Sequence, residues 1–169
     1  MAIYVTSDAH GHVRALDEAL SKISLSSDDT LYVLGDMIDR GPDPVGVIKL
    51  VRSLPNAHVL KGNHEQIMLD AIIGQDPLDA ETWDINGGWT TREQLNDMES
   101  EAYEELVRWM AALPLYAVVE TEERPYLLVH AGIEMKAARA FLLEHGVDCA
   151  DGVGAVGAAA ADARSAVVR

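Results

Sequence analysis

An α/β fold with parallel strands is the architecture that this sequence predicts, and two observations carry the prediction. Short apolar, β-branched runs alternate with segments of helical periodicity three times over the N-terminal part of the chain. The segments between those runs are long enough for crossover helices, which join parallel strands, and too long for tight hairpins. With 169 residues, 49% of them hydrophobic, the chain suffices for one domain with a sizeable core.

The elements follow in order. "AIYVTSD" (Ala2 to Asp8) reads as a short buried strand ending in polar residues. Behind it, Val13, Leu16, Leu20 and Ile23 fall at helical spacing, so "VRALDEALSKI" is expected as an amphipathic helix. "TLYVLGD" (Thr30 to Asp36) is a second strand. "PVGVIKLVRSL" then sets Val45, Ile48 and Val51 on one stripe, opened by Pro44 in its first turn. "AHVLKGNHE" (Ala57 to Glu65) gives a third strand, followed by a helical run from Gln66 to Ile73. "GQDPLDAETWDINGGWTTREQL" (Gly74 to Leu95) is rich in turn formers and reads as a loop or cap. "EAYEELVRWMAAL" is expected as a charged helix, and "LYAVVET" and "PYLLVHAG" as a hairpin across the polar "EERP". Residues 148–169 form an alanine- and glycine-rich tail of low complexity, which leaves residues 1–147 as the folded domain.

Bulk composition excludes several classes of partner. A formal net charge of -15 repels nucleic acid and anionic membranes. The single cysteine, Cys149, cannot form an internal disulfide and fits a reducing compartment. No apolar run approaches the roughly 20 residues of a membrane span. The N-terminus lacks the order of a signal peptide, so a cytoplasmic location is expected.

Lining up the strand ends gives the chemistry. The first ends in Asp8 and His10, the second in Asp36, Asp39 and Arg40, the third in Asn63, His64 and Glu65, and a later one in His130. In an open parallel sheet, ligands bind at the carboxyl ends of the strands, so these side chains should converge. Asp8 or Asp36 alone would pass as a helix cap, and His10 or His130 alone as an ordinary turn histidine. Four such coincidences in succession point instead to one site. Its oxygen and imidazole donors, without thiolate, suit Mn²⁺, Fe²⁺ or Zn²⁺. A carboxylate can hold two cations, as two-metal hydrolysis requires. Arg40 offers a planar donor fork matched to phosphate oxygens, and Asp39 is placed to orient a histidine through its ring N–H. His12 and His58 fall outside the pattern, and Trp83, Trp89 and Trp109 read as packing residues.

"DAHG", "GDMIDRG", "GNHE" and "VHAG", in that order, resemble the signature of the PPP-type serine/threonine phosphatases. The likeness is to their bacterial and phage members, within the calcineurin-like metallophosphoesterases. "WDINGGWT" and "LPLYAVVE" add to it, and it covers roughly residues 1–133. The symmetrical dinucleoside tetraphosphatases are similar, but typically carry alanine where Asp39 stands and aspartate where Glu65 stands.

The resemblance implies a calcineurin-like architecture, a β-sheet core flanked by helices, and a cofactor of two divalent ions, Mn²⁺ first, with iron or zinc as alternatives. Asp8 and His10 would hold the first ion, Asp36 would bridge both, and Asn63 and His130 would hold the second. Arg40, with Asn63, would bind the substrate's phosphate, and His64, oriented by Asp39, would protonate the leaving oxygen while a metal-bound water attacks phosphorus. The expected substrate is a phosphorylated protein, at phosphoserine or phosphothreonine, or a small phosphate ester. The alternatives are hydrolysis of dinucleoside polyphosphates and a binding-only chain. The family pattern continues past "HAG" with a further arginine and a "GHT"-like histidine. Neither motif appears here, where His145 is the only histidine after His130. The C-terminal strands of the fold are therefore expected to be missing.

Overall fold

Three strand–helix repeats open the chain in this computed structural model, which describes residues 2–74, 76–121, 124–132, 135–144 and 167–168. Strand β1 (Ile3–Thr6) leads to helix α1 (Val13–Ile23), β2 (Thr30–Val33) to α2 (Pro44–Ser53), and β3 (Ala57–Val59) to α3 (Asn63–Ile73). β1 pairs in parallel with β2, Ile3 opposite Thr30 and Thr6 opposite Val33. β2 pairs in parallel with β3, Leu31 opposite Ala57 and Val33 opposite Val59. A two-residue strand, Val167–Val168, lies antiparallel on the free edge of β1.

Local chemistry explains where the helices begin. Pro44 lacks an N–H that the first turn would leave unbonded anyway, and the Asp43 carboxylate accepts the Gly46 N–H at 2.8 Å. α3 starts at Asn63, three residues before the predicted helical run, because the Glu65 carboxylate turns back to accept the Gly62 N–H at 2.8 Å. Asn63, His64 and Glu65 therefore stand on the first turn of a helix rather than on a strand.

Leu31 and Val33 of β2 are buried in one core with Leu16 and Leu20 of α1, Val45, Ile48 and Val51 of α2, and Met68 and Leu69 of α3. The opposite face of β2 and β3 carries Tyr32 and His58, stacked with ring centroids 5.2 Å apart and only partly covered. β1, predicted as a buried strand, is half-buried along its length.

The segment predicted as a loop or cap is helical. Helices α4 (Pro77–Ile85) and α5 (Trp89–Asn96) flank a tight turn at Asn86–Gly88. The turn formers that suggested a loop sit at the helix ends, where Asp76 caps the Leu78 N–H at 2.9 Å and Pro77 opens the first turn. Helix α6 (Ser100–Ala111) follows, burying Leu106 and Met110. The predicted hairpin forms from β4 (Tyr116–Val119) and β5 (Tyr126–Val129), Tyr116 opposite Val129. It is a separate two-stranded sheet, so the fourth strand end comes from outside the parallel sheet. Helix α7 (Met135–Glu144) was not predicted. His145, Cys149 and the tail up to residue 166 lie outside the described residues. Among the described residues no helix is long and apolar enough to cross a membrane.

Candidate metal centre

The loops after β1 and β2 are laced together through their backbones. Asp8 N–H donates to Gly35 O at 3.1 Å, His10 N–H to Asp36 O at 2.9 Å and Gly11 N–H to Met37 O at 2.8 Å. Between the two aspartates of "GDMIDRG", Met37 and Ile38 are fully buried. Burial of each contributes about 1.5–3 kcal/mol towards holding that loop against the core. Gly35 (φ +97°) lies so close to the third loop that a β-carbon there would stand 2.3 Å from Gly62 N. A β-carbon on Gly62 would in turn meet an Asp36 carboxylate oxygen at 2.2 Å. Only glycine permits this approach.

Six non-glycine residues among those described have positive φ: Asp8 (58°), His10 (39°), Ser24 (52°), Asp36 (54°), Asp39 (67°) and Arg40 (66°). Ser24 ends helix α1; the other five are all residues that the sequence placed in the site. Left-handed backbone at such residues costs about 1–3 kcal/mol each and persists where the surroundings over-determine it, which is a mark of functional loops. The caps of the following helices are His12 and Asp43, so neither Asp8 nor Asp36 caps the helix that follows it.

The side chains converge on Asp36. One cluster of ligating atoms is His10, Asp36 and His64; a second is Asp8, Asp36 and His130, with the atoms of each within 4.8 Å of one another. Asp36 belongs to both, as a bridging role requires. The partition otherwise differs from that implied by the resemblance. Asp8 groups with His130, although its Oδ1 also lies 3.8 Å from His10 Nε2. Asn63 joins the second cluster through Oδ1, 2.9 Å from His130 Nε2.

The tautomers show what the clusters are built to hold. His10 Nδ1–H donates to Ile38 O at 2.8 Å and His64 Nδ1–H to Asp39 Oδ2 at 2.7 Å. His130 Nδ1–H donates to Leu34 O at 2.8 Å. Each neutral ring therefore turns an Nε2 lone pair inward. His130 Nε2 faces Asn63 Oδ1 and, at 3.4 Å, Asp36 Oδ1, which are acceptors themselves. A positive charge at that point satisfies them all, a proton on His130 Nε2 in the metal-free protein or a divalent ion in its place. The donor set thus fits divalent ions, the second cluster most plainly. In the first, the Arg40 guanidinium faces the lone pairs, Nη1 at 3.0 Å from His10 Nε2 and Nη2 at 2.8 Å from His64 Nε2.

The titration behaviour agrees. The hydrogen bond with Asp36 raises His130 above its ordinary value, against the opposing effect of burial. Burial works to raise Asp36, but hydrogen bonds from His130 and from the His64 N–H outweigh it and hold the carboxyl low. Burial lowers His10, and the charge of Arg40 pushes the same way.

Residues 1–151 match the calcineurin-like phosphoesterase family. The chain belongs to that family. It is 31% identical over 136 residues to a symmetrical bis(5'-nucleosyl)-tetraphosphatase of Erwinia tasmaniensis, an alignment covering 79% of this chain and 45% of that protein. A protein of the same description from Proteus mirabilis is 33% identical over 138 residues, again covering 79% of this chain and 45% of the relative. The chain thus spans less than half the length of these curated relatives. Among solved structures, a metallophosphoesterase from Sphaerobacter thermophilus superposes with a TM-score of 0.50 at 28% identity, covering 70% of this chain and 43% of its own. A protein serine/threonine phosphatase from Saccharomyces cerevisiae shares the fold, with a TM-score of 0.59 at 21% identity over 79% of this chain and 39% of its own.

All eight residues given a role from the sequence lie in this assembly. His12 is exposed and His58 lies in a groove of about 560 Å³ that shares no residue with the clusters, as expected of residues outside the pattern. Glu65 was placed at the site from the sequence but given no role, and Trp83 and Thr91 were not recognised as part of it. Glu65 is fully buried and accepts three backbone N–H groups, from Asp36, Met37 and Gly62, each at 2.8 Å. The sequence signal was available, since an acidic residue at the third position of a helix that follows glycine is a capping pattern. Trp83 is buried as expected, but its indole N–H points at Asp39. Trp89, expected as a packing residue, is 59% exposed.

Proposed function

We propose that this chain hydrolyses phosphate esters or anhydrides with the help of two divalent ions, and that dinucleoside polyphosphates are its first-ranked substrate class. One observation carries the chemistry: Asp36 is common to two three-donor clusters, with the Arg40 fork beside them. The substrate ranking draws on the names of the curated relatives. Asp8, His10, His130, Asn63 and the shared Asp36 would hold the ions, with His64 beside them as the proton donor. When bound, the ions would supply Lewis-acid stabilisation of the phosphoryl oxygens and a more acidic water.

The chain's own residues do the rest. Arg40 turns its N–H fork to the equatorial phosphoryl oxygens, where charge accumulates in the transition state. Asn63, exposed on the first turn of α3, adds an amide contact to substrate. His64 carries a proton on Nε2 to the departing oxygen, with Nδ1–H anchored on Asp39. Mn²⁺ is the first ion to test.

A second reading, a phosphomonoesterase for phosphoserine or phosphothreonine, is favoured by Asp39 and Glu65. At both positions the chain departs from the usual tetraphosphatase pattern, and the Asp39–His64 pair supplies the acid that an alkoxide leaving group demands. Catalytic efficiency of the Mn²⁺-loaded protein on diadenosine tetraphosphate and on a phosphoserine peptide ranks the two readings. Ion binding without turnover of either, or of an aryl phosphate, would overturn both and leave a binding-only chain.

A further inference from the structure

We infer that Trp83 and Thr91, on the paired helices α4 and α5, are positioning residues that fix Asp39 and through it the proton-bearing orientation of His64. The inference rests on the phosphoesterase reading for its catalytic consequence, and on geometry for its substance. The Asp39 side chain is wholly buried, and a carboxylate in such a place needs a full set of donors. It has them. Trp83 Nε1–H reaches both carboxylate oxygens, at 3.1 Å to Oδ1 and 3.2 Å to Oδ2. The Thr91 hydroxyl donates to Oδ1 at 2.6 Å and accepts the Asp39 backbone N–H at 2.9 Å. His64 Nδ1–H completes the set on Oδ2.

The arrangement leaves Asp39 no alternative role. An indole N–H can only donate, and the Thr91 oxygen, already accepting the Asp39 N–H, commits its one proton to Oδ1. Both carboxylate oxygens are then acceptors, so the facing histidine nitrogen must be protonated and Nε2 must point into the site. Thr91 grips the backbone and the carboxylate together, which helps hold Asp39 at its positive φ of 67°. The Arg92 guanidinium lies over the Trp83 ring, 5.6 Å from its centroid, and pairs with Asp84, so the ring is held from its outer side. The turn between the two helices reaches the neighbouring residue as well, Gly87 O accepting the Arg40 N–H at 3.0 Å. Residues 83–91, "WDINGGWTT", are thus a clamp on the Asp39–Arg40 pair.

Leaving-group dependence separates positioning from mere structure. A dinitrophenolate departs without a proton, whereas a phenolate gains from one. Trp83→Phe, which keeps the ring and removes the N–H, is expected to lose about 10-fold or more in kcat on phenyl phosphate and within about 2-fold on dinitrophenyl phosphate. Thr91→Val should follow the same pattern, Thr91→Ser should restore the rate, and His64→Asn sets the limiting case. Equal losses on the two substrates, or none, would overturn the inference. A second readout uses the metal-free protein. In proton–nitrogen spectra the Trp83 indole N–H resonance should move upfield in Asp39→Asn, and the His64 Nδ1–H resonance should move in Trp83→Phe. If neither moves, the clamp does not exist, whatever the rates. If both move while the loaded wild-type protein hydrolyses nothing, the clamp stands and the phosphoesterase reading fails.

Discussion

Replacing Glu65 by glutamine tests how the site is held together. The Glu65 Oε2 accepts the N–H groups of Asp36 and Gly62, and Oε1 accepts that of Met37, all at 2.8 Å. A glutamine keeps one acceptor oxygen, which can serve Asp36 and Gly62, but its amide N–H₂ then confronts the Met37 N–H. One buried donor is orphaned, at about 1–3 kcal/mol. The two surviving bonds lose their charge assistance, which roughly halves them. In the other direction, glutamine relieves the burial of a charge, the effect that raises the Glu65 carboxyl above its ordinary value. The expected net loss is about 1–3 kcal/mol, read as a lower urea midpoint at unchanged slope. Because the Asp36 N–H is among the bonds disturbed, Mn²⁺ affinity should fall with stability. Glu65→Ala would orphan all three donors at once, a loss of several kcal/mol against a typical total of about 5–15 kcal/mol. Glutamine is therefore the informative change. A Glu65→Gln variant with wild-type midpoint and wild-type Mn²⁺ isotherm would refute the idea that Glu65 pins the second and third loops.

Two further outcomes follow from the same geometry. Arg40→Ala should weaken inhibition by inorganic phosphate about 10-fold or more, the value of charge-assisted bonds to phosphate. It should leave Mn²⁺ affinity unchanged or tighter, because it removes a cation beside the His10 and His64 lone pairs; a parallel loss of both affinities would contradict this assignment. In the metal-free protein, His130 is raised above its ordinary 6.5 and Asp36 lowered below its ordinary 3.8. The His130 contribution is full below 6.5 and lost as pH rises through the raised value. That of Asp36 is full above 3.8 and lost as pH falls through the lowered value. The stability difference between wild type and His130→Asn, measured by urea unfolding in chelator, should therefore peak between those two values; a difference constant with pH would dispose of the pairing.

The fold and the site were legible in unequal degree. Strand–helix alternation, the Pro44 helix start and the strand-end donors are written in local patterns a few residues long, and local patterns survive in a bare sequence. "GDMIDRG" is the clearest case: two apolar residues between two aspartates encode a loop anchored in the core with carboxylates on either side. What escaped depends on contacts between distant residues. The Glu65 bonds to Asp36 and Met37 span 29 and 28 residues, and those of Trp83 and Thr91 to Asp39 span 44 and 52. No local signal ties an indole to a carboxylate that far away. The two helices in the segment read as a loop or cap escaped for another reason. Asp, Pro, Asn and Gly have the same composition whether they fill a loop or bracket two short helices, and only the pairing of Asp76 with the Leu78 N–H distinguishes the cases.

The central claim is that Asp36 bridges two ion sites built from strand-end donors, and calorimetric titration with Mn²⁺ tests it most directly. Wild-type protein, stripped of metal, should take up two ions, the first, with buried His10, more tightly than the more exposed second. Asp36→Asn should lose high-affinity binding at both sites together, because each cluster contains that carboxylate. Loss of only one site, or an isotherm equal to wild type, would contradict the bridge and with it the two-metal reading of this chain.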